Sequence, residues 1–184
     1  MRTNKISILI GTRNTGKTIY AKSIMKAALE AGKSVLVIDT YDHPAYTAVQ
    51  RIRPDQIKDC SPGQIYRCFG SETKLILDSC NQFYNGLLVL EDATKYIENR
   101  LNEDTKRFFY DCKQKNVDIL AMFHSWVACP PVLFRIADNV LIKKTGDNCQ
   151  VRKNDCPNFA EVQRAYEEVE NSPNRYIVKY VKLQ

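Results

Sequence analysis

An α/β fold around a mainly parallel sheet is predicted by three features of this sequence. Short unbroken apolar runs recur along the chain, a glycine-containing loop joins the first run to a helical segment, and two carboxylates follow a later run directly. Unbroken runs suit strands buried on both faces, as in sheets whose crossovers are helices. At 184 residues, 44% hydrophobic and 26% charged, the chain has the size and balance of one domain with a proper core. A single unit over residues 1–184 is therefore expected, with its core at about 5–145 and a C-terminal extension at about 146–184.

The first run, Ile6-Ser7-Ile8-Leu9-Ile10, leads into Gly11-Thr12-Arg13-Asn14-Thr15-Gly16-Lys17-Thr18, a complete G-x-x-x-x-G-K-S/T phosphate-binding loop. Gly11 and Gly16 let the backbone curl its N–H groups around phosphate oxygens. Lys17 can reach the β- and γ-phosphates, Thr18 can offer its hydroxyl to Mg²⁺, and the helix behind adds its positive dipole end. Nucleotide binding by residues 11–18 follows, with ATP and Mg²⁺ as the expected cofactors. That helix is expected from Lys17 to Ala31, because Ala21, Ile24, Met25 and Ala28 keep one stripe and Gly32 is a good stop. Lys22, Lys26 and Lys33 lie off the stripe and read as a solvated face.

Ser34 to Asp39 is the second strand, an apolar run ending in an acid. Thr40 to Pro44 reads as a loop, since Pro44 forces His43 towards an extended conformation. Residues 45–86 are broken by proline and glycine; Gln64–Phe69 reads as an edge strand, Glu72–Tyr84 as a helix and Asn85-Gly86 as a turn. Leu87-Leu88-Val89-Leu90 then runs straight into Glu91-Asp92, the Walker B pattern. A buried parallel strand delivers carboxylates to its C-terminal edge, beside a phosphate loop. One acid can hold Mg²⁺ while the other orients and deprotonates an attacking water. The alternative is a strand that simply exits into solvent.

A helix is expected from Thr94 to about Gln114, with Ile97, Leu101, Phe108 and Cys112 on its apolar face and a break at Asn102-Glu103-Asp104. Its other face carries Lys95, Arg100, Lys106, Arg107, Lys113 and Lys115, with Tyr96, Phe109 and Tyr110 among them. That face is either solvated or the surface that meets nucleic acid or a neighbouring subunit. Val117–Phe123 is the fourth strand and ends in His124-Ser125-Trp126. His124 is either a γ-phosphate sensor or a satisfied structural histidine. Asn139–Lys143 reads as a fifth strand, Lys144–Asn148 as a turn, and Cys149–Lys153 as a returning hairpin partner. Phe159–Glu170 reads as an exposed acidic helix and Tyr176–Lys182 as a terminal strand.

Seven cysteines, odd in number and without a C-x-x-C pair, argue for reduced thiols. No run approaches the roughly 18 apolar residues of a membrane span, and no secretory h-region opens the chain, so a cytoplasmic location without membrane insertion is expected. The formal charge of +6 leans only slightly towards a polyanionic partner.

The order of these elements resembles the additional-strand class of P-loop ATPases, and within it the HerA/FtsK-type superfamily. The zonula-occludens-toxin-like and phage genome-packaging ATPases are the branch it is most similar to. The resemblance rests on the phosphate loop, Val35–Asp39, Ile119–Ser125, Pro131 and Arg135-Ile136-Ala137-Asp138-Asn139-Val140. It implies a three-layer fold with a short C-terminal hairpin or edge strand, and ATP hydrolysis coupled to moving or packaging DNA. It further implies a hexamer-like ring of identical subunits that works with phage or mobile-element proteins. By the same resemblance Lys17, Glu91, Asp92 and His124 are catalytic, with Thr18 and Glu91 on the metal; Arg135 and Arg107 are the candidates for the catalytic trans-acting arginine, Arg135 favoured because it precedes a core strand. Three departures stand out: the family usually writes Asp-Glu where this chain has Glu91-Asp92, commonly has glutamine where it has His124, and no motif here places its trans-acting arginine. A small-molecule or nucleotide kinase and a non-hydrolysing assembly switch are the competing readings.

Overall fold

The computed structural model describes residues 4–39, 41–95, 97 and 103–184. Eight strands form one sheet: β1 (Ile6–Ile10), β2 (Ser34–Asp39), β3 (Gln50–Ile52), β4 (Ile65–Phe69), β5 (Gly86–Leu90), β6 (Val117–Phe123), β7 (Asn139–Ile142) and β8 (Lys179–Lys182). Five α-helices accompany them: α1 (Lys17–Glu30), α2 (Thr73–Cys80), α3 (Glu103–Asp111), α4 (Pro131–Ile136) and α5 (Phe159–Asn171). The strand order is β3-β4-β2-β5-β6-β1-β7-β8, parallel throughout except for β8, which runs antiparallel to β7.

Every residue of β2 and β5 is buried, as a sheet covered on both faces requires. Alternate residues serve opposite faces. Leu9, Val35, Val37, Leu87, Val89, Leu120 and Met122 pack under Ala21, Met25 and Ala28 of α1. Ile8, Ile10, Leu36, Ile38, Leu88, Leu90, Ile119 and Phe123 face the other way, into a larger core that holds residues of α2, α3, α4 and α5. The result is three layers, helix on sheet on helix.

The strands through the middle of the sheet lie where the runs predict them, and several expectations elsewhere are corrected. Gln64–Phe69 is not an edge: β4 is flanked by β2 and by the short β3, which is the true edge. Three residues with an exposed-exposed-intermediate pattern carry no apolar signal, so β3 is invisible in the sequence. The helix after it is only α2, shorter than Glu72–Tyr84. The long helix from Thr94 is replaced by a 3-10 turn at Ala93–Lys95 and by α3. Thr40, Tyr96, Arg100, Leu101 and Asn102 lie outside the described residues.

Ile97, Phe108 and Cys112 are buried as expected, but so is Phe109, which was assigned to the basic face. Several cations of that face have partners within the chain: Lys95 pairs with Asp92, Arg107 with Asp111, Lys113 with Asp138, and Lys115 donates to Asn81. Lys33 is not solvated either. It is buried at the start of β2 and paired with Asp118. Cys149–Lys153 does not return as a strand; Cys149–Arg152 is a 3-10 turn, and the partner of β7 is β8. Finally, α5 is amphipathic rather than exposed, with Val162, Ala165 and Val169 in the core. Among the described residues no helix is long and apolar enough to cross a membrane.

Candidate functional site

The loop between β1 and α1 is shaped by its own backbone chemistry. Gly16 caps α1 in the left-handed region at φ 77°, and Asn14 adopts φ 60°, which asparagine tolerates better than most residues. A Cβ on Gly11 would sit 2.7 Å from Lys143 Cβ, so this position admits no side chain without a shift of β7. The loop is tied to the sheet on both sides. Gly11 N–H donates to Phe123 O on β6 (3.1 Å), and Thr12 N–H to Lys144 O just past β7 (2.8 Å). The N–H groups that open α1 lack partners within the helix, and their dipoles add to the same spot.

Because β5, β6 and β1 are neighbours, their C-terminal ends deliver Glu91, Asp92, His124 and the phosphate loop to one cleft of about 1010 Å³. Lys17 is buried there. Its ammonium donates to Gly11 O (2.5 Å) and Thr12 O (2.9 Å) and meets His124 Nδ1 at 3.0 Å. With the ammonium as donor, Nδ1 accepts, and the imidazole hydrogen sits on Nε2, 3.3 Å from Asp92 Oδ1. Burial lowers the Lys17 pKa to about 8, against the opposing pull of Glu91 and Asp92.

The two carboxylates live in different surroundings. Glu91 is buried, and that burial raises its pKa despite a hydrogen bond from Tyr46. Its Oε2 accepts from Tyr46 Oη at 2.6 Å, while Oε1 faces the Thr18 hydroxyl at 3.4 Å. Burial also pushes Asp92 upward, but hydrogen bonds from His124 and Thr94 outweigh it and hold its carboxyl below the usual range. Thr94 Oγ1 donates to Asp92 Oδ1 (2.5 Å), and Lys95 pairs with Oδ2 (3.0 Å).

Beside this lies an ion cluster in which Arg67 and Asp39 are buried and Asp42 is exposed. Arg67 of β4 bonds Asp39 Oδ2 (2.5 Å) and Asp42 Oδ1 (2.6 Å), and Asp39 accepts the N–H groups of Tyr41 (3.0 Å) and His43 (2.8 Å). That clamp shapes the turn at Pro44–Tyr46 and so aims Tyr46 at Glu91.

Of the residues singled out from the sequence, Arg13, Asn14, Gly16, Lys17, Thr18, Glu91, Asp92 and His124 line the cleft, with Gly11, Thr12 and Thr15 forming the loop behind. Arg135 is not brought there. It sits on α4, mostly exposed, and its guanidinium pairs with Asp155 (3.0 Å). Tyr46, Arg67 and Lys143 went unrecognised. No motif marks them, and each meets the site only through the sheet order.

A Thr18 hydroxyl beside a Glu91 carboxylate, next to a backbone cradle with no room for a Cβ at Gly11, fits a phosphate-bound Mg²⁺. No protein-family model matches the sequence, and no curated protein matches it. Solved structures do. The genome-packaging NTPase B204 of Sulfolobus turreted icosahedral virus 2, in complex with ATP-gammaS, matches with a TM-score of 0.76 at 14% identity, covering 100% of this chain and 94% of that one. VirB4 of Thermoanaerobacter pseudethanolicus matches with a TM-score of 0.64 at 8% identity, covering 100% and 90%. The N-terminal domain of zonular occludens toxin from Neisseria meningitidis matches with a TM-score of 0.50 at 14% identity, covering 76% of each chain. At these identities the likeness is one of fold: the chain shares the three-layer α/β fold of B204, VirB4 and the zonular occludens toxin domain.

Proposed function

We propose that the chain is a Mg²⁺-dependent ATPase that works in the cytoplasm as one subunit of a ring and couples hydrolysis to moving or packaging DNA. The observation that carries this reading is the convergence of Lys17, Thr18, Glu91, Asp92 and His124 on one cleft at the ends of three adjacent strands. The loop N–H groups and Lys17 bind the phosphates. Thr18 and Glu91 would hold Mg²⁺, which when bound neutralises charge on the β- and γ-phosphate oxygens. Asp92, kept ionised by its hydrogen bonds, orients the attacking water and accepts its proton. His124 joins Lys17 to Asp92 and so links phosphate contact to water position.

The DNA part is supported by the fold shared with B204, described as a genome-packaging NTPase, and the ring part by the resemblance read from the sequence motifs. Within such a ring Arg135 is the proposed trans-acting residue, because its exposed place on α4 leaves it facing outward. Residues 1–184 act as one ATPase unit, of phage or mobile-element type.

ATPase rate measured against protein concentration, with and without double-stranded DNA, tests the reading. The rate per subunit should rise with concentration and again with DNA. Glu91→Gln and Asp92→Asn should each lower it by about 10²-fold or more. Full rates in both variants would remove the assigned acids, and a rate indifferent to concentration and DNA would leave a lone hydrolase or kinase.

A further inference from the structure

The cleft extends past the phosphate loop to a second wall that no part of the hydrolytic reading uses. The acids and His124 stand on the β5–β6 side of β1, so the γ end of a bound triphosphate points that way. Its other end must emerge on the opposite side of β1, towards β7 and β8, over the first turn of α1. Tyr176 stands there. A Cβ on Gly16 would lie 3.0 Å from Tyr176 Cδ1, so the ring rests directly on the glycine that opens α1.

Tyr176 is held there by its backbone rather than by its side chain. Its carbonyl accepts from the buried Lys143 ammonium at the end of β7 (2.9 Å), and its N–H donates to Asn174 Oδ1 (2.9 Å). Asn174 N–H in turn donates to Ser172 Oγ (3.1 Å), which stiffens the strap between α5 and β8. Tyr176 remains 62% exposed, and Ile19 of α1, which lines the same cleft, is 73% exposed. A fixed, exposed aromatic and an exposed aliphatic in the same cleft as the acids offer a stacking surface. Tyr41, also exposed in the cleft, follows β2 on the acids' side and already has the Lys95 ammonium over its ring.

We propose that Tyr176, with Ile19 lining the same cleft, is the platform on which the nucleobase of the bound nucleoside triphosphate stacks. This rests on the nucleotide-binding reading above and adds the part of the ligand that the phosphate loop does not touch. Stacking reads the π-face of the base, and its loss on truncation of the aromatic corresponds to about tenfold to hundredfold in affinity.

Calorimetric binding of ATP and of inorganic tripolyphosphate to the full chain separates the two levels. Tyr176→Ala should weaken ATP about tenfold or more while leaving tripolyphosphate unchanged, and Tyr176→Phe should bind both as the parent does. A Tyr176→Ala protein that binds ATP as well as the parent overturns the platform and leaves the phosphate site standing. Equal loss of ATP and tripolyphosphate also overturns it, since Tyr176 would then only support the loop. A parent protein that binds neither ligand removes the nucleotide reading itself, and the platform with it.

Discussion

Lys17 is the residue on which phosphate binding turns, and its chemistry is set by burial. A lysine ammonium with a pKa of about 8 is charged at neutral pH but begins to lose its proton just above it. A bound polyphosphate would stabilise the ammonium and raise that pKa, so complex and free protein differ in proton affinity. The sign follows: the affinity gain from Lys17 is fully present below pH 8 and fades as pH rises through the higher pKa of the complex. ATP affinity measured without divalent metal should fall above pH 8, by up to about tenfold per pH unit. Binding in that range should take up a proton, visible as a calorimetric heat that varies with buffer ionisation enthalpy. A flat profile from pH 7 to 9.5 would mean that the ammonium contributes nothing to phosphate contact.

β4 shows how one element can govern a cleft to which it contributes no lining residue. Arg67 is fully buried in β4, and its two carboxylate partners come from the end of β2 and the loop after it. Removing one member of a buried pair leaves an uncompensated charge, which costs about 3–5 kcal/mol. Arg67→Ala should therefore lower the urea midpoint substantially and loosen the turn that carries Tyr46. An unchanged midpoint would show that the cluster is solvated. The sequence presents Arg67 as an ordinary charged residue in a strand; nothing local says that Asp39 and Asp42 wait beside it. The same applies to Lys33 and Asp118, paired across 85 residues.

At the scale of the molecule, the C-terminal strap joins sheet and site. β8 closes the β7 edge, Val181 and Leu183 are buried, and the segment leading to it carries Tyr176 over the phosphate loop. Each of those two side chains contributes about 1.5–3 kcal/mol by burial. A chain ending at residue 171 should melt at a markedly lower temperature and expose the β7 edge to self-association. Light scattering and a thermal melt check this; an unchanged melt would make the strap an ornament of the fold.

The motif-bearing parts were legible from residues alone because their physics is local. A phosphate loop is specified by its glycines, lysine and threonine over eight positions, 11–18. Strands buried on both faces announce themselves as unbroken apolar runs, so β1, β2, β5, β6 and β7 and the acids after β5 could be read directly. Long-range pairing decided the rest. β3 is short and polar enough to be a strand only because a neighbour completes its hydrogen bonds, and the terminal strand read at Tyr176–Lys182 gains its partner, β7, only in the fold. Tyr46 reaches Glu91 across 45 residues and Lys143 reaches Tyr176 across 33, distances over which local sequence carries no record of contact. Chain order does not encode which strand ends become neighbours; packing the sheet does.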